Sequence, residues 1–155
     1  MTWELDPDAA SAEELLELAA MVEQGGFDFY ARLSSRSENP RERNELRHLR
    51  DEEGLHKGWF LAQLRARGGR PGGSLPPGLQ AELESRFLTP VSSLFAAGPV
   101  ENRDVLRLGT ALEREAIDLY RVVREVLDPP QQTELDRIIA EQERHLRALE
   151  ALRTG

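Results

Sequence analysis

Three glutamates, a glutamine and two histidines recur at matched intervals along this chain, and side chains of these types hold hard or borderline metal ions. Glu53-Gly-Leu-His56 sets a carboxylate and an imidazole three positions apart, and Gln142-Glu-Arg-His145 repeats the spacing with an amide in first place. Glu23 and Glu113 each stand seven positions before a tyrosine, Tyr30 and Tyr120. Glu23 to Glu53 spans 30 positions and Glu113 to Gln142 spans 29, so the chain reads as a duplicated helical hairpin. It has no cysteine, which excludes disulfides, thiolate zinc sites, iron–sulfur clusters and a rubredoxin-type iron site. Any metal must therefore be held by carboxylate and imidazole.

These residues matter because of where a helix would point them. At about 100° per residue, Glu23 falls within about 40° of Leu16, Ala19, Phe27 and Tyr30, in the middle of an apolar stripe. Glu113 has the same offsets to Leu106, Gly109, Ile117 and Tyr120. Glu53 is central to Leu46, Leu49 and Phe60, with His56 about 60° round the same face. Gln142 is central to Leu135, Ile138, Leu146 and Leu149, with His145 one turn on. His48 faces about 140° away from Glu53 and reads as solvated. One charged residue in a 31% charged chain would be ordinary surface, but three mid-stripe carboxylates at repeated spacing are not. Each costs several kcal/mol to bury unless it is paired or bound to a cation. The chain's only lysine, Lys57, cannot neutralise all three, whereas a pair of iron or manganese ions can.

Four long amphipathic helices are expected to carry the set. Ser11 with Glu14 forms a capping box that opens a helix over about 12–35. Asn39-Pro40 opens a second over about 40–66, stopped by the Gly68-Gly69-Arg70-Pro71-Gly72-Gly73 cluster. Helices over about 101–127 and 130–152 are separated by Asp128-Pro129-Pro130. Between them lies a long connection, about 67–100, with a short helix near Gln80–Phe87 and breaks expected at Thr89-Pro90 and Gly98-Pro99. Short links within each helix pair and one long crossover between the second and third helices predict an all-α, ferritin-like four-helix bundle, a single domain over 1–155.

Composition narrows the function. With 20 basic and 28 acidic residues the formal charge is −8, which repels nucleic-acid phosphates and anionic lipid. No run approaches the roughly 18 apolar residues of a membrane span. Met1-Thr2-Trp3-Glu4-Leu5-Asp6 lacks the charged and apolar regions of a signal peptide, so no nucleic acid or membrane partner and a cytoplasmic location are expected.

Glu23-Gln-Gly-Gly-Phe-Asp-Phe-Tyr30, Glu53-Gly-Leu-His56, Glu113-Arg-Glu-Ala-Ile-Asp-Leu-Tyr120 and Gln142-Glu-Arg-His145 together resemble the four helical signatures of the rubrerythrin branch of the ferritin-like superfamily. The resemblance spans all four helices. It implies a di-iron site that reacts with hydrogen peroxide or dioxygen, commonly in a homodimer. Carried over residue by residue, it makes Glu23 and Glu113 terminal ligands, Glu53 a bridging ligand, and His56 and His145 nitrogen ligands. Without a cysteine-bearing rubredoxin module, electrons must come from a separate donor. Tyr30 and Tyr120 are the candidate catalytic residues, either hydrogen-bonding ligand carboxylates or taking part in redox chemistry. Gly25 and Gly26 leave space for close helix approach or for substrate.

Gln142 stands where the family places a second bridging glutamate. Four carboxylates match two ferrous ions; three leave about one positive charge uncompensated in a low-dielectric core. Glu141 projects within about 40° of His145 and is the expected substitute ligand, and the ion nearer His145 is expected to be the weaker. The leading reading is a non-haem di-iron oxidoreductase reducing hydrogen peroxide or dioxygen. The alternatives are an iron oxidation and storage protein of ferritin type, and a metal-poor, non-catalytic bundle, which the neutral Gln142 favours.

Overall fold

The capping signals work as the sequence suggests. In the computed structural model, α1 (Ala12–Arg36) begins where Ser11 Oγ accepts from the Glu14 N–H at 3.1 Å and Glu14 Oε2 accepts from the Ser11 N–H at 3.3 Å. Asn39 Oδ1 accepts from the N–H groups of Arg41 and Glu42 at 2.9 and 3.3 Å and opens α2 (Pro40–Ala66). At its end Gly68 takes φ +83°, and the Gly68 and Gly69 N–H groups bond back to Arg65 and Leu64 at 2.9 Å. This closure leaves the helix through a residue in the left-handed region, which glycine enters without strain. The structure describes residues 10–72, 75–96 and 101–154. The N-terminal Met1–Asp6 segment, Gly73 and the Gly98-Pro99 break lie outside the described residues.

The connection is more helical than the sequence suggests. It carries α3 (Pro77–Leu83), a π turn (Glu84–Leu88) and α4 (Thr89–Ala96) in continuous succession. The expected break at Thr89-Pro90 does not occur. Proline normally disrupts a helix by clashing with the carbonyl four residues earlier, here that of Arg86, and the π turn widens the backbone there. The Thr89 N–H reaches back five residues to the Glu84 carbonyl.

α5 spans Asn102–Arg124 and α6 spans Pro129–Thr154. α5 stops short of the expected 127. The N–H groups of Glu125, Val126 and Leu127 each bond to the carbonyl three residues back, a tightened last turn forced by the prolines that follow.

α1 packs most extensively on α2, and α5 on α6; α1 against α5 and α2 against α6 join the two hairpins. The buried apolar residues form one core, with Leu15, Tyr30, Phe60, Leu119, Tyr120 and Leu135 among its largest fully enclosed members. Each such side chain contributes about 1.5–3 kcal/mol by leaving water. At Gly109 a Cβ would come within 3.0 Å of the Phe29 ring, so close contact between α1 and α5 depends on that glycine. The connection lays Leu79, Leu83 and Phe87 onto the bundle. Among the described residues no helix is long and apolar enough to cross a membrane.

Candidate metal centre

The core holds a polar interior. Glu23, Glu53, His56, Glu113, Gln142 and His145, from four helices, are each at most 5% exposed. Two groups have ligand atoms within 4.8 Å of one another: Glu23, Glu53 and His56, and Glu53, Glu113 and His145. Glu53 belongs to both. His56 Nδ1 lies 3.5 Å from Glu23 Oε1, and His145 Nδ1 lies 3.1 Å from Glu53 Oε1 and 3.8 Å from Glu113 Oε1. Among the described residues, histidines are the ion-pairing partners of these carboxylates; Lys57 instead donates to Gln24 at 2.7 Å.

The tyrosines cross between hairpins. Tyr30 of α1 donates to Glu113 Oε1 of α5, and Tyr120 of α5 donates to Glu23 Oε1 of α1, each at 2.5 Å. Burial, reinforced by the surrounding carboxylates, pushes both phenols well above their ordinary range, so they stay protonated and act as donors.

Burial also raises the carboxylates. Glu23 and Glu113 are pushed up to about 7, and Glu53, which faces Glu23, to about 8. At His145 burial disfavours the imidazolium, but the Glu113 and Glu53 carboxylates outweigh it and push the ring up to about 11. A bound divalent cation would replace these protons as the compensating charge.

Among the described residues, five buried side-chain atoms have no hydrogen-bond partner: Glu23 Oε2, Glu113 Oε2, His56 Nδ1, Gln142 Oε1 and Gln131 Oε1. Orphaned buried acceptors cost about 1–3 kcal/mol each, more for charged groups. Three of the five belong to the two buried groups. A cavity of about 20 Å³ adjoins them, lined by Gly26, Glu53, Glu113 and Gln142 and by Phe87 of the π turn. A Cβ on Gly26 would sit 2.8 Å from Glu53 Oε2, so this glycine is where α1 admits the Glu53 carboxylate; Gly25 has no comparable contact.

Glu141 has a partner that the helical projection does not name. Its carboxylate meets Nε2 of His56 on α2, and its side chain is 29% exposed. A projection gives the direction a side chain leaves its own helix, but not which side chain of the facing helix comes to meet it. His145 Nε2 is taken instead by Glu52 Oε2 at 2.7 Å, a residue the spacing did not single out. The signal was present in the repeat, because Glu52 precedes Glu53 as Glu141 precedes Gln142. Burial opposes the charge on Glu52, but the His145 hydrogen bond together with the His145, His48 and Arg144 charges outweighs it and holds the carboxyl below its usual range. Glu52, His56 and Glu141 form a third, outer group. His48 is largely exposed, as expected, and contacts Glu52 Oε1 at 2.6 Å.

No family model and no curated protein matches the sequence. Among solved structures, the chain is similar to a Thermotoga maritima protein described as a ferritin-like diiron-carboxylate protein, with TM-score 0.71 at 19% identity over 94% of this chain and 96% of that one. The expected bundle is thus matched by an experimental backbone over nearly its whole length, and this chain has the ferritin-like fold.

Proposed function

We propose that the chain is a rubrerythrin-like, non-haem di-iron oxidoreductase that reduces hydrogen peroxide or dioxygen. The observation that carries this reading is the pair of buried groups sharing Glu53, with unpartnered carboxylate and imidazole atoms at 0–5% exposure. The donors fit the metal: carboxylate oxygen and imidazole nitrogen without thiolate suit iron, with manganese as the alternative. Glu23, Glu53 and His56 would hold one ion, and Glu53, Glu113 and His145 the other.

When bound, two ferrous ions supply the two electrons that reduce hydrogen peroxide, with two protons, to two water molecules. The chain's part is geometric and electrostatic. Glu53 ties the two positions together, while Tyr30 and Tyr120 fix the rotamers of Glu113 and Glu23. The small cavity beside Gln142 has room for about one water-sized molecule next to Glu53 and Glu113. Electrons come from a separate donor, since the chain has no cysteine for a rubredoxin-type centre. A homodimer in the cytoplasm is the proposed setting.

Anaerobic loading with ferrous ion, followed by hydrogen peroxide and a chemical reductant, tests the reading. Near two irons per chain, an oxo-bridge absorption after oxidation and catalytic peroxide consumption are the expected results. Near zero iron would favour the non-catalytic bundle, and a large multi-subunit shell on size-exclusion chromatography would favour iron storage.

A further inference from the structure

The connection contributes one side chain to the cavity beside the metal centre. Leu79, Leu83 and Phe87 are buried and stand four positions apart, a spacing that drifts about 40° per step around an α-helix. The wider π turn at Glu84–Leu88 counters that drift and keeps Phe87 turned onto the bundle, at 4% exposure. Contacts on two sides seat the turn. The Arg86 guanidinium donates to Glu115 of α5 at 2.9 Å and to Glu82 one turn earlier. Toward α1, a Cβ on Gly25 would stand 4.0 Å from Leu88, so the bare backbone before Gly26 faces the turn. Phe87 thereby joins Gly26, Glu53, Glu113 and Gln142 in lining the cavity of about 20 Å³.

We propose that Phe87 is a specificity-determining residue that limits the oxidant to the smallest molecules and excludes alkyl hydroperoxides. This rests on the peroxide or dioxygen reaction proposed above. One water needs about 10–15 Å³ of such space, so a cavity of about 20 Å³ holds little more. Of the described residues that line it, Phe87 alone comes from the connection; the others belong to the four bundle helices, whose packing also sets the buried ligand groups. Gly26 cannot grow without striking Glu53. The Phe87 ring is the bulkiest apolar wall and has no hydrogen-bonding atom, so it restricts size without making a polar demand of its own. A hydroperoxide with a branched alkyl group needs the volume that the ring fills. Its reduction balances as that of hydrogen peroxide does, two electrons and two protons giving the alcohol and water. The reaction does not separate the two substrates, and size does.

The test compares wild type, Phe87→Ala and the milder Phe87→Leu. Hydrogen peroxide and tert-butyl hydroperoxide serve as alternative substrates of the iron-loaded protein, and xenon as a probe of metal-free crystals. Wild type should strongly prefer hydrogen peroxide and bind no xenon beside Glu53 and Glu113. In Phe87→Ala the ratio of kcat/KM for tert-butyl hydroperoxide to that for hydrogen peroxide should rise at least about tenfold, with Phe87→Leu between, and xenon should occupy the vacated space. A general loss of folding or of metal lowers both rates together and does not move that ratio. An unchanged ratio in both variants, or xenon in the wild-type cavity to the same extent as in Phe87→Ala, would overturn the proposal. Wild-type protein that reduces both peroxides equally well would overturn it while leaving the di-iron reaction standing. Iron-loaded wild type that consumes neither would remove that reaction, and the role of Phe87 with it.

Discussion

The α1–α2 and α5–α6 hairpins present the same parts in the same places, and they differ chiefly at Glu53 and Gln142. Each contributes a mid-helix glutamate, a tyrosine that crosses to the other hairpin, a buried histidine and an outer glutamate. Glu53 of the first belongs to both buried ligand groups, whereas Gln142 of the second belongs to neither and leaves Oε1 unpartnered beside the small cavity. The helix facing each side follows suit: three residues after Glu23 stands Gly26, with no side chain to obstruct Glu53, and three after Glu113 stands Ala116. The centre thus keeps its twofold scaffold and loses twofold charge. On the proposed di-metal reading, three carboxylates in place of four would make the two metal positions unequal.

The strongest way to break that comparison is Glu53→Gln, which makes both hairpins neutral at this position. Because Glu53 alone is shared, both ions should be lost together, with metal content after desalting falling to near zero. Retention of one ion would mean that the two groups are independent.

A pH series probes the same carboxylates without substitution. The folded-state pKa values of Glu23, Glu53 and Glu113 lie at about 7, 8 and 7, above the ordinary 4.5. Protonation therefore contributes stability to the metal-free fold that is fully present below about pH 4.5 and lost as pH rises through 7–8. His145, raised to about 11, changes stability in the same direction above its ordinary 6.5. The Tm of metal-free protein should fall between pH 5 and 8, while the stabilisation by added ferrous or manganous ion grows as metal displaces those protons. Calorimetry with and without metal reads both, and a metal-free Tm that rises over this window would contradict the buried cluster.

Gln142→Glu restores the fourth carboxylate and sharpens the comparison from the other side. It should tighten the ion nearer His145 and raise the peroxidase rate, leaving the ion nearer His56 little changed. The smallest effect is expected from Tyr30→Phe and Tyr120→Phe. Each removes one hydrogen bond to a ligand carboxylate, about 1.5–3 kcal/mol where the acceptor is charged. Because the two bonds are equivalent under exchange of the hairpins, thermal denaturation should show nearly equal losses for the two variants.

Much of this was legible in the chain itself. Ser11, Asn39 and the 68–73 glycine cluster mark helix ends through local hydrogen bonding and backbone freedom, which act within a few residues. The burial of Glu23, Glu53, Glu113 and Gln142 follows from helical periodicity, which needs no knowledge of neighbouring helices. The contacts of Glu52 and Glu141 did not follow, because which hairpin's imidazole meets which outer carboxylate is set by the packing of α2 against α6. The π turn was hidden for a related reason: Pro90 signals a break, and only the widened backbone beneath it lets the helix continue.

The most direct test of the paired centre is a crystal structure of iron-loaded protein with anomalous differences measured at the iron edge. Two peaks are expected, one among Glu23, Glu53 and His56 and a weaker one among Glu53, Glu113 and His145, with the weaker peak strengthened in Gln142→Glu. An absence of anomalous signal in the bundle core, or a lone peak at Glu52, His56 and Glu141, would contradict it.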